Sequence, residues 1–397
     1  MSYFAGVLLF ALGIALTIGL HELGHMQVAR WCGMRVRRYY IGFGPTVFKY
    51  TKGHTEYGVK AIPLGGFCDI AGMTSLDEVS EEERPYSMVD RPWWQRIAVL
   101  MGGVMMNILV CLIVLYCIAV SSGLPNLRAD YTPVIGRTAC VPATADAECS
   151  GAGPAGEAGL RSDDRVLAVN GQQVATFKEL RGMLSERPGE TVTLTISREG
   201  KEQDVPVKVA AVSLPLNDGS TATVGMIGVS AAPIPDLVKK YSALGAVPAT
   251  GEFFGHMLQA TVQGLVAFPA KIPGVVMSIF GQERDEASPM SVVGASRMGG
   301  EMAERSQWAM FLMMLASLNL FLALFNLVPL PPLDGGHIAV VIWEKIRDFF
   351  RGLAGLAPAG PADYLKLMPI TYAMSAALLV VGVLVIVADV VNPIRIF

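Results

Sequence analysis

Four long apolar stretches set the pattern of hydrophobic and polar positions along this chain. They cover residues 3–20, 97–120, 308–330 and 368–388. Each holds close to the roughly 20 apolar residues that an α-helix needs to cross a bilayer. The first stretch has neither a basic segment before it nor a small-residue cleavage site after it, as a secretory signal peptide would. The pattern therefore predicts four transmembrane helices, the first of them retained.

Two strands are predicted after the first span. Residues 46–52 and 57–63 alternate around a Lys52-Gly53 turn, which predicts a β-hairpin at the membrane surface. The two glycines that follow let another backbone approach closely, so we expect an extended peptide to add to this edge as a strand. A hairpin that only packs on lipid headgroups is the alternative. The residues expected to bind such a peptide are Ile62, Pro63, Gly65 and Gly66.

A soluble α+β module is predicted between the second and third spans. Residues 166–169 and 191–197 have the pattern of strands, and residues 176–187 that of an amphipathic helix. The segment AGLRSDDRVLAVNG resembles the AGL-x-x-x-D-x-x-x-x-VNG signature of PDZ domains, although Asp163 stands where glycine is usual. We therefore expect a PDZ-like domain at residues 129–210. The linker that follows, residues 211–307, has helical periodicity at 253–280, but Pro269 and Pro273 predict an interrupted helix lying on the membrane.

Composition and charge place the chain in a membrane and orient it. Its 397 residues are 52% hydrophobic and 16% charged, which excludes a single soluble globular domain. A net charge of −3 gives no basis for binding nucleic acid. Lysine and arginine concentrate after the first and third spans, so residues 28–96 and 338–367 are expected in the cytoplasm, and the termini and the PDZ-like domain outside. Cys140 and Cys149 then lie in an oxidising compartment and are predicted to form a disulfide.

The candidate chemistry lies at the end of the first apolar stretch, in IALTIGLHELGH. An H-E-x-x-H motif on a helix puts its two imidazoles about 400° apart around the axis, so His21 and His25 share a face and can bind one zinc ion. Glu22 is then placed to take a proton from a metal-bound water. In the second span, Asn107 is a polar residue inside the membrane, for which a hydrogen bond to a neighbouring helix and a substrate contact are equal alternatives.

A third metal ligand is expected where the third span ends, in NLVPLPPLDGGH. Its prolines cannot continue a regular helix, so the backbone must break there. Asp334 is a carboxylate at that break, at the same cytoplasmic side as His21 and His25, and is the expected third ligand. His337, one helical turn further on, is the competing candidate. Its alternatives are a solvated position at a helix N-terminus and a role in orienting a ligand.

Together these motifs resemble a bacterial site-two protease along nearly the whole chain. The resemblance rests on HELGH, IGFGP, IPLGGF, the PDZ-like insert and NLVPLPPLDGGH, and EYGVKAIPLGGFCDIAGM, SVVGAS and VNPIRIF are similar to the actinobacterial branch. It implies an intramembrane endopeptidase in which His21, His25 and Asp334 hold Zn2+, and Glu22 is general base and then acid. Asn326 would hold the substrate backbone. The implied substrates are single-pass membrane proteins such as anti-sigma factors, cut after their ectodomains are trimmed, with the PDZ-like domain excluding untrimmed ones.

Two other classes of function stay open at this point. A metal-ion transporter would use intramembrane histidine and aspartate as a translocation site, and a PDZ-type membrane scaffold would carry a structural zinc. Neither needs Glu22. The expected fold class is an α-helical membrane protein with a membrane-associated β-hairpin and one extracytoplasmic PDZ-like α+β domain. Its expected segments are helix 1 at 1–27, hairpin and loop at 28–96, helix 2 at 97–122, the PDZ-like domain at 129–210, the linker at 211–307, helix 3 at 308–337, a cytoplasmic loop at 338–367 and helix 4 at 368–391.

Overall fold

The computed structural model of the protein describes residues 2–74, 76–142, 149, 151–215, 221–285 and 287–394, without the side chains of residues 63, 64 and 215. It divides into two compact units, one of Met1–Leu124 with Lys240–Phe397, the other of Pro125–Lys239. The described helices are α1 (Tyr3–Trp31), α2 (Trp93–Ser121), α3 (Gly153–Glu157), α4 (Phe177–Ser185), α5 (Ala243–Ile279), α6 (Val292–Glu304), α7 (Trp308–Asn326), α8 (Asp334–Leu353) and α9 (Tyr364–Val391). The strands are β1 (Val36–Lys52), β2 (Thr55–Ile70), β3 (Leu124–Pro125), β4 (Ile135–Thr138), β5 (Arg165–Val169), β6 (Gln172–Gln173), β7 (Thr191–Arg198), β8 (Lys201–Lys208), β9 (Ala210–Pro215), β10 (Thr221–Met226), β11 (Val229–Ala231) and β12 (Val238–Lys239).

Five of the described helices are long and apolar enough to cross a membrane: α1, α2, α5, α7 and α9. Four of them coincide with the apolar stretches of the sequence, the third only as far as Asn326, and α5 is the addition. The predicted interruption of residues 253–280 is wrong, because α5 runs unbroken through Pro248, Pro269 and Pro273. A proline removes one backbone hydrogen bond and kinks a helix, but a long apolar helix packed on its neighbours tolerates this. The expected loop at 338–367 is also largely helical, since it contains most of α8.

The membrane unit is held together by close contacts between small residues of neighbouring helices. Gly24 of α1 lies against Gly102 of α2, where a Cβ on Gly102 would come within 2.6 Å of the Gly24 carbonyl oxygen. The end of α1 thus meets the start of α2, so the two helices are antiparallel. Near its own start, α1 packs through Gly6 on Gly300 and Ala303 of α6. Glycine allows these approaches because it has no side chain to separate the backbones.

Strands β1 and β2 form more than the predicted hairpin. The end of β1 pairs with the start of β2, as in Lys52 opposite Thr55. The start of β1 lies between both halves of β2, since Tyr40 is opposite Gly58 on one side and Phe67 on the other. Residues 66–70 therefore form an edge of this sheet. Tyr39 donates from its hydroxyl to the Gly19 carbonyl at 2.6 Å, which anchors the sheet to α1.

The unit Pro125–Lys239 contains the predicted α+β module. Strands β6, β5, β7 and β8 form a four-stranded antiparallel sheet in that order, and α4 packs on its core through Leu180 and Leu184. Asp163 has a φ of 70°, the left-handed conformation that favours glycine, which explains why this place in the signature usually carries glycine. A disulfide joins Cys140 to Cys149.

Asp164, which follows in the signature, is a structural residue of this unit. Its carboxylate accepts hydrogen bonds from Arg198 at 2.7 Å and from the Arg161 backbone N–H at 2.8 Å. Burial alone raises the pKa of Asp164, but these hydrogen bonds outweigh burial and hold the pKa below its ordinary value.

Candidate active site

Three metal-binding side chains meet where α1 approaches the start of α8. His21 and His25 are buried on one face of α1, with their Nε2 atoms 3.1 Å apart. Asp334 is the first residue of α8, and its Oδ2 lies 3.3 Å from His21 Nε2 and 3.4 Å from His25 Nε2. The structure thus brings together the three residues that the sequence marks as ligands. His337 lies apart from this cluster, with its Nδ1 3.4 Å from the Tyr364 hydroxyl.

The turn between α7 and α8 places Asp334 at the cluster. Helix α7 ends at Asn326, before the end of the apolar stretch at residue 330 and of the expected helix 3 at residue 337, because the prolines of the turn cannot continue it. Gly335 and Gly336 then let α8 start against the chain that precedes it. A Cβ on Gly336 would lie 2.7 Å from the Pro331 nitrogen, and one on Gly335 would collide with the carbonyl oxygens of residues 327 and 328. Larger residues at these two positions would push Asp334 away from the histidines.

The three ligand atoms fit a zinc ion. Ligand atoms at about 2.0–2.1 Å from a tetrahedral zinc are about 3.3–3.4 Å apart, and the observed separations are 3.1, 3.3 and 3.4 Å. Asp334 Oδ2 is buried and has no hydrogen-bond partner among the described residues, which a cation at the centre of the cluster would supply. Two imidazoles and one carboxylate are a catalytic zinc set, which leaves a fourth position for water or substrate.

Helix α2 contacts both histidine rings at Nδ1, on the side away from Asp334, and so orients them. His25 Nδ1 lies 2.8 Å from the Val99 carbonyl oxygen, and His21 Nδ1 lies 3.2 Å from the Asn107 side-chain amide. Each ring therefore turns its Nε2 toward Asp334. Gly103 lies beside the two rings, and a Cβ there would come within 2.7 Å of His21 Nε2. Only glycine leaves room for the metal cluster at this point of α2.

Glu22 lies between the cluster and the edge strand of the sheet. The Cys68 backbone N–H lies close to its carboxylate. A Cβ on Gly66 would lie 3.1 Å from Glu22 Cγ and 3.3 Å from Ile18, so this stretch of β2 packs directly on the zinc-binding helix. A chain added to that edge would pass the glutamate. This is the arrangement that a general base acting on a bound peptide requires.

The other predicted substrate-binding residues have different surroundings. Gly65 packs against the Phe43 ring, where a side chain would collide. Ile62 is exposed and lies opposite Phe43 in the ladder between β1 and β2. The predicted contact of the Pro63 side chain lies outside the described residues. Asn326 is half-buried at the end of α7, where the turn to Asp334 begins.

A buried ion pair that sequence reasoning missed holds α8 on α2. Arg96 and Glu344 are 7% and 8% exposed, with Nη1 and Oε2 2.5 Å apart. Glu344 Oε1 also accepts from the Ala362 backbone N–H at 2.7 Å. Since α8 begins with Asp334, this pair fixes the helix that supplies the third ligand. The signal in the sequence was a lone arginine at the start of an apolar span, which fits equally well an exposed interfacial residue.

Comparisons with known proteins agree with this site. The model of peptidase family M50 matches residues 9–353. The chain is 44% identical over 407 residues to the zinc metalloprotease Rip1 of Mycolicibacterium smegmatis, covering 100% of each chain, and 44% identical over 408 residues to Rip1 of Mycobacterium tuberculosis, again covering 100% of each. The crystal structure of the PDZ domain of an SdrC-like protein from Listeria monocytogenes matches 27% of this chain and 93% of its own, at 17% identity and a TM-score of 0.18.

The sequence matches and the buried ligand set therefore lead to one conclusion. The resemblance predicted from HELGH and LDG is confirmed, and zinc is the metal that the relatives' names specify. A membrane metalloprotease also explains why the cluster lies on helices apolar enough to span a bilayer. The chain belongs to peptidase family M50 and is an intramembrane zinc metalloprotease.

Proposed function

We propose that this metalloprotease cleaves single-pass membrane proteins, anti-sigma factors among them, after another protease has removed most of their outer domain. The observation that carries the proposal is the position of Glu22, between the His21–His25–Asp334 cluster and the edge strand of the sheet. A transmembrane helix has its carbonyls hydrogen-bonded and must unwind before it can be cut. An edge strand beside the glutamate offers replacement hydrogen bonds to an unwound segment.

His21, His25 and Asp334 would hold the zinc ion, and Glu22 would move the proton. Zinc bound at this donor set polarises the scissile carbonyl and makes water more acidic. The Glu22 carboxylate takes a proton from the attacking water and delivers it to the amide nitrogen as the peptide bond breaks. The backbone N–H of Cys68, close to this carboxylate, would orient it from the sheet side. Residues 66–70 and Asn326 would hold the extended substrate on either side of the reacting bond.

We infer that four of the five candidate helices cross the membrane and that α5 begins and ends at its outer side. The start of α5 packs near the end of α2, since Ala246 belongs to one apolar cluster with Ala119. The end of α5 packs near the end of α9, through Val275 and Ala388. A helix of 37 residues is about 55 Å long, so a crossing α5 would have its two ends on opposite faces of the membrane.

The ends of α2 and α9 are on the same face, because both are linked to the start of α1. Helix α2 is antiparallel to α1, so its end lies level with the start of α1. Helix α6 packs on the start of α1 through Gly300 and on the end of α9, where Ser291 donates to Asp389 at 2.5 Å. Both ends of α5 therefore lie at one level. With four crossing helices, both termini and the unit Pro125–Lys239 are outside, and the basic segment after α1 is inside, in agreement with its charge.

Proteolysis is tested with the full-length protein in proteoliposomes that contain a single-pass substrate with a shortened outer segment. Glu22→Gln should lower the cleavage rate by about 10²–10⁴-fold, while zinc stoichiometry stays at the wild-type value because the three ligands are intact. The same substrate with its full outer domain is the second arm and should be cut more slowly by the wild type. Cleavage that survives Glu22→Gln, or zinc flux into the vesicles that this variant retains, would favour the transporter instead.

A further inference from the structure

Asn107 of α2 makes an unusual contact behind the zinc-binding histidines. It is 1% exposed, and its Nδ2 lies 3.2 Å from His21 Nδ1. Its Oδ1 is buried and has no hydrogen-bond partner among the described residues. An amide in the middle of an apolar helix with an unpaired oxygen costs stability, so the contact with His21 calls for a physical reason.

The reason lies in the tautomer that zinc demands of His21. A histidine that binds a metal through Nε2 carries its proton on Nδ1, and a protonated Nδ1 can only donate. An amide nitrogen opposite it would place two donors face to face. The nitrogen and oxygen of an asparagine side chain have almost the same shape and can exchange places by a half turn. With the oxygen toward His21, the ring N–H gains an acceptor and the unpaired oxygen gains a donor.

We propose that Asn107 is a positioning residue of the zinc site, whose amide oxygen accepts the His21 Nδ1–H and keeps Nε2 free for the metal. His25 supports this assignment. Its Nδ1 lies 2.8 Å from the Val99 carbonyl, and a carbonyl oxygen can only accept, so His25 has the same tautomer. Helix α2 thus fixes the tautomer of both histidines, that of His25 through a backbone carbonyl and that of His21 through the Asn107 side chain.

The close approach of the helices brings Asn107 within reach. Gly24 and Gly102 let α1 and α2 touch backbone to backbone, one turn and a half before Asn107 along α2. A wider spacing between the helices would leave room for water or for a larger side chain at His21 Nδ1. The contact between the two glycines therefore keeps Asn107 within hydrogen-bond reach of the His21 ring.

The chain offers a matched control in Asn319 of α7. This asparagine is also 1% exposed within an apolar helix, and it donates to Thr17 Oγ1 at 3.1 Å and to the Leu315 carbonyl at 2.8 Å. It bonds α1 to α7 without touching a histidine. If Asn107 mattered only as a hydrogen bond between helices, the two asparagines would be equivalent.

The test compares Asn107→Leu, Asn107→Asp and Asn319→Leu in the full-length protein in detergent, with zinc affinity measured by competition against a chelator. Leucine removes the acceptor, so Asn107→Leu should weaken zinc binding about 10–100-fold. An ionised aspartate can only accept, so Asn107→Asp should stay within about threefold of the wild type at neutral pH. Asn319→Leu should bind zinc as the wild type does. The absorption spectrum of the cobalt-substituted protein, which reports ligand geometry, should change for Asn107→Leu alone.

Three results would overturn the proposal. Wild-type affinity in Asn107→Leu would show that the ring needs no acceptor. Equal losses in Asn107→Asp and Asn107→Leu would show that the amide nitrogen is the group that acts. Equal losses in Asn107→Leu and Asn319→Leu would reduce the effect to helix packing. Should Asn107→Leu fail to fold, Asn107→Ala takes its place as the smaller change that also removes the acceptor: a loss of zinc affinity of about 10–100-fold supports the proposal, and wild-type affinity contradicts it.

Discussion

Removing one partner of the buried Arg96–Glu344 pair should destabilise the protein more than removing both. Breaking a buried pair costs about 3–5 kcal/mol, since it leaves an uncompensated charge, whereas replacing both partners by apolar residues is often neutral. The two single substitutions should differ in how much they lower the free energy of unfolding. Arg96 Nε has no partner among the described residues, so Glu344→Leu leaves the guanidinium poorly satisfied and should cost about 5 kcal/mol. Arg96→Leu leaves Glu344 its hydrogen bond from Ala362 and should cost about 3 kcal/mol.

These costs are measured by reversible unfolding in mixed micelles, as a double-mutant cycle with Arg96→Leu/Glu344→Leu. The double variant should cost less than either single variant, so the free energies of unfolding should show a coupling of at least about 5 kcal/mol. Lys366→Met is the control, because the Lys366–Asp363 pair is 3.6 Å apart with 84% and 50% exposed side chains, and it should change stability by less than about 1 kcal/mol. Since α8 begins at Asp334, each single variant should also bind zinc more weakly. Additive single effects would refute the reasoning.

Three further predictions follow from the site and from the unit Pro125–Lys239. Asp334→Ala should abolish stoichiometric zinc binding, whereas His337→Ala should leave it unchanged; metal analysis of both purified variants decides, and the reverse result would make His337 the ligand. Gly103→Ala should lose zinc while remaining folded, because the new Cβ would lie 2.7 Å from His21 Nε2, whereas Gly264→Ala, with nothing within 4 Å, should keep it. Asp164 has a folded pKa below its unfolded value of about 3.9, so its contribution to stability is complete above that pH and is lost as the pH falls further. In pH-dependent unfolding, Asp164→Asn should flatten that loss, and an unchanged acid profile would contradict it.

Local spacing was sufficient to predict the histidine pair and its third ligand. Helix geometry alone puts His21 and His25 on one face, and the proline break marks Asp334 as a carboxylate at the end of a span. The interval between them in the chain carries no distance information. The prediction that the two ends meet came from the direction of the spans. The first and third spans are both predicted to run from the outside to the cytoplasm, which puts the end of α1 and the turn after α7 on the same side of the membrane.

The remaining features depend on contacts that spacing cannot give. The double pairing of β1 depends on register, and both halves of β2 have the same alternation. Continuity of α5 through Pro269 and Pro273 depends on tertiary packing, which overrides local preference. Asn107 was recognisable as a polar residue in a span, but its partner is 86 positions away. Such long-range pairs have no local signature.

The order in which the ligands occur along the chain has a consequence for biosynthesis. His21 and His25 are made first, and Asp334 follows only after the whole of Pro125–Lys239 has been translated. A nascent chain therefore has two thirds of a metal centre and no cleavage activity while its later helices are still entering the membrane. Completion of α8 is therefore the step that supplies the third ligand, and by then the unit Pro125–Lys239 has already been made.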